Sequence, residues 1–141
     1  MASAQAKPPA DDVLIGTWDI VEGAAAPWAP ASERADLAAI AKRLVKTQVV
    51  FAAHAVTTTA KPFACKKAFY EATEYSPDAM FRGGLPELNQ DRIVRDMGFA
   101  RGDVPGIDVM CGSETLSYHF RDRVTIMVAI DNILYTLKRG K

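Results

Sequence analysis

Few side chains in this sequence have the type and spacing that catalysis requires. Two histidines, His54 and His119, can act as acids or bases, and two cysteines, Cys65 and Cys111, can act as nucleophiles or form a disulfide. Neither cysteine lies in a recognisable nucleophile motif. The spacing of the histidines, cysteines and carboxylates does not resemble a metal-ligand set. We therefore expect no metal and no cofactor.

The carboxylates do not suggest an acid and base pair. Glu71 and Glu74 are an odd number of residues apart, so a strand directs them to opposite faces. The glycines at 83–84 and 102–106 do not match a phosphate-binding loop. An enzyme that uses His54, Glu71 or His119 as an acid or base is the least favoured of three functions.

The two cysteines predict a disulfide. A lone pair of cysteines is usually bonded in a secreted protein and usually reduced in a cytosolic one. Residues 1–10 contain Ala-x-Ala triplets and then prolines, which we interpret as the remnant of a secretory signal region in a disordered linker spanning residues 1–12. The alternative is a cytoplasmic tail. Together the two features favour a periplasmic or secreted protein.

Composition narrows the class of protein. The 141 residues are 49% apolar and 24% charged, which is typical of a globular chain, and we expect a single domain over residues 13–141. The formal net charge is zero, so we expect no nucleic-acid partner. No apolar run approaches the roughly 18 residues of a membrane span.

The predicted elements are mainly strands, at 13–22, 48–52, 55–59, 64–74, 107–111, 115–121, 124–130 and 133–139. A further short strand is predicted at 79–82. Helical spacing predicts two short helices, at about 32–45 with Ser32 as N-cap and at about 86–97. In the sixth strand His119 alternates with Tyr118 and Phe120, so it lies on the opposite face, which we interpret as facing solvent rather than a lumen. These elements predict an antiparallel β-barrel of about eight strands.

One motif is divided between the two ends of the chain. Gly16 and Trp18 lie in the first predicted strand, and Arg139 closes the last one. A Gly-x-Trp with a distant arginine resembles the signature of lipocalins and their calycin relatives, in which the arginine covers the tryptophan where the barrel closes. A guanidinium over an indole is worth about 0.5 to 2 kcal/mol. The resemblance covers the two ends and the strand-rich character. The two helices depart from the usual lipocalin order.

The resemblance implies a non-enzymatic lipocalin-like protein that binds a small apolar or amphipathic ligand. Aromatic side chains would line its pocket, namely Trp28, Phe51, Phe69, Tyr70, Tyr118, Phe120 and Tyr135. The same residues can instead fill the barrel interior, and the sequence leaves both alternatives open. The second function is a protein-interaction module, such as an inhibitor of a periplasmic or extracellular hydrolase, with a rigid loop at 27–30 or 101–105.

Overall fold

The computed structural model describes residues 13–85, 89–100 and 102–140. The predicted linker at 1–12, the first residues of the second predicted helix and Arg101 of one predicted interaction loop lie outside the described residues.

Within the described residues, eight strands form one antiparallel sheet: β1 Gly16–Ala25, β2 Gln48–Phe51, β3 Val56–Thr58, β4 Phe69–Tyr75, β5 Val104–Cys111, β6 Glu114–Asp122, β7 Thr125–Ile130 and β8 Ile133–Arg139. Their order in the sheet is β3-β2-β1-β8-β7-β6-β5-β4, and the sheet curls into a half-barrel. The helices are α1 Arg34–Lys42 and α2 Gln90–Asp96, with 3-10 turns at Ala31–Glu33, Lys61–Phe63 and Pro77–Gly83. The predicted fold class, mainly β with two short helices, is confirmed.

Tight turns connect β5 to β8 into a meander. Asp131 and Asn132 both have positive φ, at 49° and 65°, and form the two-residue connection between β7 and β8. Positive φ at both central residues defines the type I′ turn, whose twist matches that of the strands on either side. Gly112, at φ 63°, lies in the turn between β5 and β6. Both turns therefore hold their strands in register.

The motif at the two ends of the chain brings β1 and β8 together. Trp18 pairs with Arg139 across the sheet, and the guanidinium carbon lies 4.6 Å from the centroid of the Trp18 ring. Arg139 Nη1 donates to the Ile15 carbonyl at 3.1 Å, and the buried Trp18 indole donates to the Leu14 carbonyl at 2.8 Å. Gly16 has φ +134°, and a Cβ there would lie 2.7 Å from Arg139 Nη1. The glycine therefore makes room for the arginine that covers the tryptophan.

We expect Arg139→Ala to lower the free energy of unfolding by about 1 to 2 kcal/mol, because it removes both the cation–π contact with Trp18 and the hydrogen bond to Ile15. Urea denaturation measures the change. Lys138→Ala is the matched control, since Lys138 is the exposed neighbour on the same strand. An unchanged midpoint for Arg139→Ala would show that the contact does not stabilise the fold.

The edge strands β3 and β4 are joined by a short seam. Val56 and Cys65 exchange two backbone hydrogen bonds, at 2.8 and 2.9 Å, and the Ala68 amide donates to the His54 carbonyl at 2.8 Å. The predicted disulfide is present: Cys65 is bonded to Cys111 at the end of β5, with the two Cα atoms 5.9 Å apart. The disulfide ties the seam to the end of β5, the first strand of the meander.

Side chains pack on both faces of the sheet. Large apolar residues fill the concave side, including Trp18, Ile20, Phe51, Phe63, Ile107, Tyr118, Ile126, Tyr135 and Leu137. Helix α1 adds Ala41 to this core, opposite Gly23 of β1. A second cluster covers part of the outer face, where the Pro77–Gly83 turn and α2 meet the strands; it contains Met80, Phe81, Leu85, Val94, Phe99, Val104, Met127 and Leu134.

Two local predictions were wrong. Residues 79–82 do not form a strand but lie in the Pro77–Gly83 turn, where Phe81 has φ 53°, a conformation that no strand accepts. Ser32 does not cap α1: it lies in the preceding 3-10 turn, the helix begins at Arg34, and no side chain makes the N-cap hydrogen bond. Pro30 starts that tighter turn and so moves the helix start.

Candidate functional site

The concave interior of the half-barrel is packed. The Phe51 and Tyr118 rings meet edge to face with centroids 5.2 Å apart, and Phe63 meets Tyr135 in the same way at 5.3 Å. Tyr118 is fully buried, and burial raises the pKa of its hydroxyl. These contacts leave the described interior filled with side chains.

The structure distributes the seven predicted pocket aromatics over several environments. Four are buried in the interior core: Phe51, Tyr118, Phe120 and Tyr135. Phe69 is 66% exposed on β4. Tyr70 is half-buried; its hydroxyl donates to the Ala52 carbonyl at 2.6 Å beside the seam, and burial raises its pKa to about 12. Trp28 lies at the surface against the outer cluster. The seven side chains do not surround one ligand.

A cleft of about 820 Å³ lies at the end of the sheet where the β5–β6 and β7–β8 turns meet two loops. We call it the rim cleft. Loops contribute its aromatic and small residues, Trp28, Pro62, Phe81 and Gly84, and the two hairpins contribute Ser113, Glu114, Thr115, Leu116, Ser117, Ala129, Ile130, Asp131 and Asn132. It therefore combines an aromatic side with strands that carry both apolar and oxygen-bearing side chains.

Trp28 is held in place on three sides. Its indole Nε1 donates to Asn132 Oδ1 at 3.1 Å, and its ring lies 5.7 Å from that of Phe81 between centroids. A Cβ at Gly84 would lie 3.0 Å from the Trp28 ring, so the glycine lets the indole pack against the backbone. Such contacts fix the orientation of the indole before a ligand arrives.

The hydrogen-bond acceptor for Trp28 is itself fixed. Asn132 occupies the type I′ turn, and its carbonyl accepts from the Ala26 amide at 2.9 Å. The Ala26 carbonyl in turn accepts from Arg34 Nη1 at 2.9 Å, which links α1 to the same end of the sheet. Trp28 was predicted from the sequence as a pocket aromatic, whereas Asp131 and Asn132 only separate the predicted strands at 124–130 and 133–139.

His119 supports the other aromatic residue of the rim cleft. The Phe81 amide donates to His119 Nε2 at 3.3 Å, and the rings of Tyr75 and Phe81 each meet the imidazole at 4.7 Å. His119 is 0% exposed, and its Nδ1 has no hydrogen-bond partner among the described residues. The prediction that His119 faces solvent was wrong, because the Pro77–Gly83 turn covers this part of the outer face. Burial lowers its pKa to about 4, although Asp108 acts in the opposite direction.

A polar cluster borders the same region. The Tyr75 hydroxyl donates to Asp108 Oδ1 and lies 3.3 Å from Ser117 Oγ. A Cβ at Gly106 would lie 3.0 Å from the Tyr75 ring, so the absent side chain lets the ring cross the strand. Burial and the hydrogen bond to Asp108 raise the pKa of Tyr75. The cluster fixes Ser117, which lines the rim cleft.

The three residues considered as acids or bases differ in environment. His54 is exposed in the connection between β2 and β3, Glu71 is exposed on β4, and His119 is buried beneath Phe81. They therefore do not share one exposed site.

In the described part of the chain, no group of three or more histidine, cysteine, aspartate or glutamate side chains is arranged to hold a metal ion. None of the described helices is long and apolar enough to cross a membrane. Compared with protein-family models, curated proteins and solved structures, the chain matches no family model and is significantly similar to no curated protein or solved structure.

Proposed function

We propose that this chain is a non-enzymatic, lipocalin-like protein that binds one small amphipathic ligand in the rim cleft. The observation that carries the proposal is the cleft itself, about 820 Å³ in volume with a fixed aromatic side. Small-molecule sites in proteins measure about 300 to 1,000 Å³ and combine apolar surface with a few placed polar groups. The rim cleft has both properties.

The proposed site lies at the rim of the half-barrel rather than in its interior. A narrow antiparallel barrel either encloses one small ligand or fills its interior with side chains. Here Phe51, Tyr118 and Tyr135 occupy the interior in edge-to-face contacts or close packing. Space for a ligand of this size remains at the end of the sheet, between the hairpin turns and Trp28.

The contacts that hold Trp28 in place favour a role in ligand binding over a merely structural role for this surface tryptophan. The hydrogen bond to Asn132 and the contact with Gly84 restrict the indole in the free protein. A side chain that is ordered before binding loses less conformational entropy when the ligand arrives. The half-buried ring of Trp28 thus offers a prearranged contact surface.

The proposed location is the periplasm or the extracellular space. The Cys65–Cys111 disulfide supports it, because disulfides persist in oxidising compartments and are rare in the cytosol.

Inhibition of a hydrolase through a rigid exposed loop has less support. Residues 27–30 do not project as an inhibitory loop would, since Trp28 packs back against Phe81 and is bonded to Asn132.

We expect titration with 1-octanol to produce a saturable shift of the Trp28 indole N–H resonance and to leave that of Trp18 in place. Trp28 lines the cleft, whereas Trp18 is fully buried and bonded to Leu14. Two-dimensional ¹H–¹⁵N NMR resolves the two indoles in one experiment. Trp28→Ala should weaken octanol binding about tenfold, since an aromatic contact surface is lost; in this variant the backbone amide resonance of Asn132, which also lines the cleft, reports binding.

Phe69→Ala is the matched control for that variant, because Phe69 is an exposed aromatic outside the cleft, and it should leave octanol binding unchanged. Absence of saturable binding for eight-carbon probes with neutral, cationic and anionic head groups alike would contradict the proposed function. Native mass spectrometry of protein from its own host then identifies the physiological ligand.

A further inference from the structure

We infer that the rim cleft selects amphipathic ligands with a cationic head group, such as an alkylated ammonium on an apolar tail. The inference rests on the proposed function and adds the chemical class of the ligand. Its basis is the combination of two carboxylates, Glu114 and Asp131, with the aromatic ring of Trp28 in one cleft.

The charges that line the cleft have one sign. Glu114 and Asp131 are the charged side chains among the described lining residues, which include no lysine, arginine or histidine. The formal net charge of the whole chain is zero, so no net positive charge of the protein opposes the local negative potential of these two carboxylates. A cation is attracted to such a site, and an anion is repelled.

The aromatic side of the cleft, formed by Trp28, also favours a cation. The polar edge of the Trp28 indole is already used, because Nε1 donates to Asn132 Oδ1. What remains for a ligand is the part of the ring that lines the cleft, and tryptophan is the best aromatic partner for a cation. An anionic head group would find at Trp28 neither a free indole donor nor a positive charge.

The strands place the charges and the apolar residues in sequence along the cleft. Glu114 begins β6, and Asp131 follows the end of β7, so both lie at the hairpin turns. Ala129 lies two residues before Asp131 along β7, which corresponds to about 7 Å, and it packs against the outer cluster that contains Phe81. A head group beside the two carboxylates therefore directs its tail over Ala129 toward Phe81.

Three probes with the same eight-carbon tail test the inference, namely octyltrimethylammonium, 1-octanol and octanoate. Each is used at a concentration at which it is dissolved as monomers. The shift of the Trp28 indole resonance measures its affinity. We expect the ammonium to bind about tenfold more tightly than octanol, and octanoate to bind more weakly than octanol. The double variant Glu114→Gln/Asp131→Asn should lose that advantage while binding octanol as before. Asn accepts the positive φ that position 131 requires, so the turn is kept.

Glu22→Gln is the matched control, since Glu22 is an exposed carboxylate of β1 that does not line the cleft. It should leave all three affinities unchanged. If the double variant also weakens octanol binding, the salt dependence of binding to the parent protein tests the role of the carboxylates instead. Salt screens charges, so it should weaken ammonium binding severalfold and leave octanol binding unchanged.

The outcomes separate the two proposals. Equal affinities for the three probes, a preference for octanoate, or ammonium binding that is independent of salt would overturn the inference and leave the proposed function standing. Failure of all three probes to bind would overturn the proposed function itself.

Discussion

Loss of the Cys65–Cys111 disulfide is expected to lower the free energy of unfolding by about 4 kcal/mol, which corresponds to about 10 to 15 °C in melting temperature. The bond closes a loop of 46 residues, and in the chain-entropy model such a cross-link removes many conformations from the unfolded chain. In the folded protein it also holds the seam, because Cys65 belongs to the segment that pairs with Val56. The disulfide is thus the largest single contribution to stability that we expect.

The double variant Cys65→Ala/Cys111→Ala measures this contribution by thermal or urea unfolding. Alanine is chosen because Cys65 is buried, and a serine hydroxyl there would be costly. A reducing agent should lower the parent midpoint to that of the variant and leave the variant unmoved. Thiol titration of the unfolded, unreduced parent should find no free thiol. Two free thiols and a midpoint that is insensitive to reductant would contradict the prediction.

Acidification from about pH 6.5 to pH 4 is expected to cost the protein about 3 kcal/mol of stability through His119 alone. Its pKa is about 4 in the folded protein against 6.5 for an unperturbed histidine. The unfolded chain therefore binds a proton at a higher pH than the folded protein does. The contribution of the neutral imidazole is complete above pH 6.5 and is lost as the pH falls through this window.

His119→Phe tests the assignment because phenylalanine cannot be protonated. At pH 7.5 the variant should be less stable than the parent by about 1 to 3 kcal/mol, since the Phe81 amide loses its acceptor. Between pH 6.5 and pH 4, however, the variant should lose about 3 kcal/mol less stability than the parent does. His54→Gln is the matched control and should keep the parent pH profile, because His54 is exposed. A parent-like pH profile for His119→Phe would assign the acid sensitivity to other groups.

Alternation and turn chemistry were sufficient to predict the sheet. Period two predicted the strands of the meander, and the Asp131 and Asn132 pair marked the hairpin between β7 and β8. Alternation also placed His119 on the face opposite Tyr118, which is correct. It could not predict that this face is covered, because the cover comes from the Pro77–Gly83 turn, nearly 40 residues away in the sequence.

The rim cleft was harder to predict for a similar reason. Its lining comes from loops around Trp28, Pro62 and Phe81 together with the ends of two hairpins, so no local pattern marks it. Phe81 in addition has a positive φ, which is rare for a bulky residue and has no signal in the amino-acid type. Of its lining residues, only Trp28 was among the aromatic side chains predicted to line a pocket.

The pairing of β1 with β8 has a consequence for the order of folding. The meander from β5 to β8 can form through local contacts, but Trp18 and Arg139 are 121 residues apart, and contacts between distant segments form slowly because a long loop must close first. In the sheet, β1 also connects β2 and β3 to all the other strands. During folding the first of the described strands must therefore wait for the last, and until β8 forms, the edge of β1 that faces β8 stays unpaired.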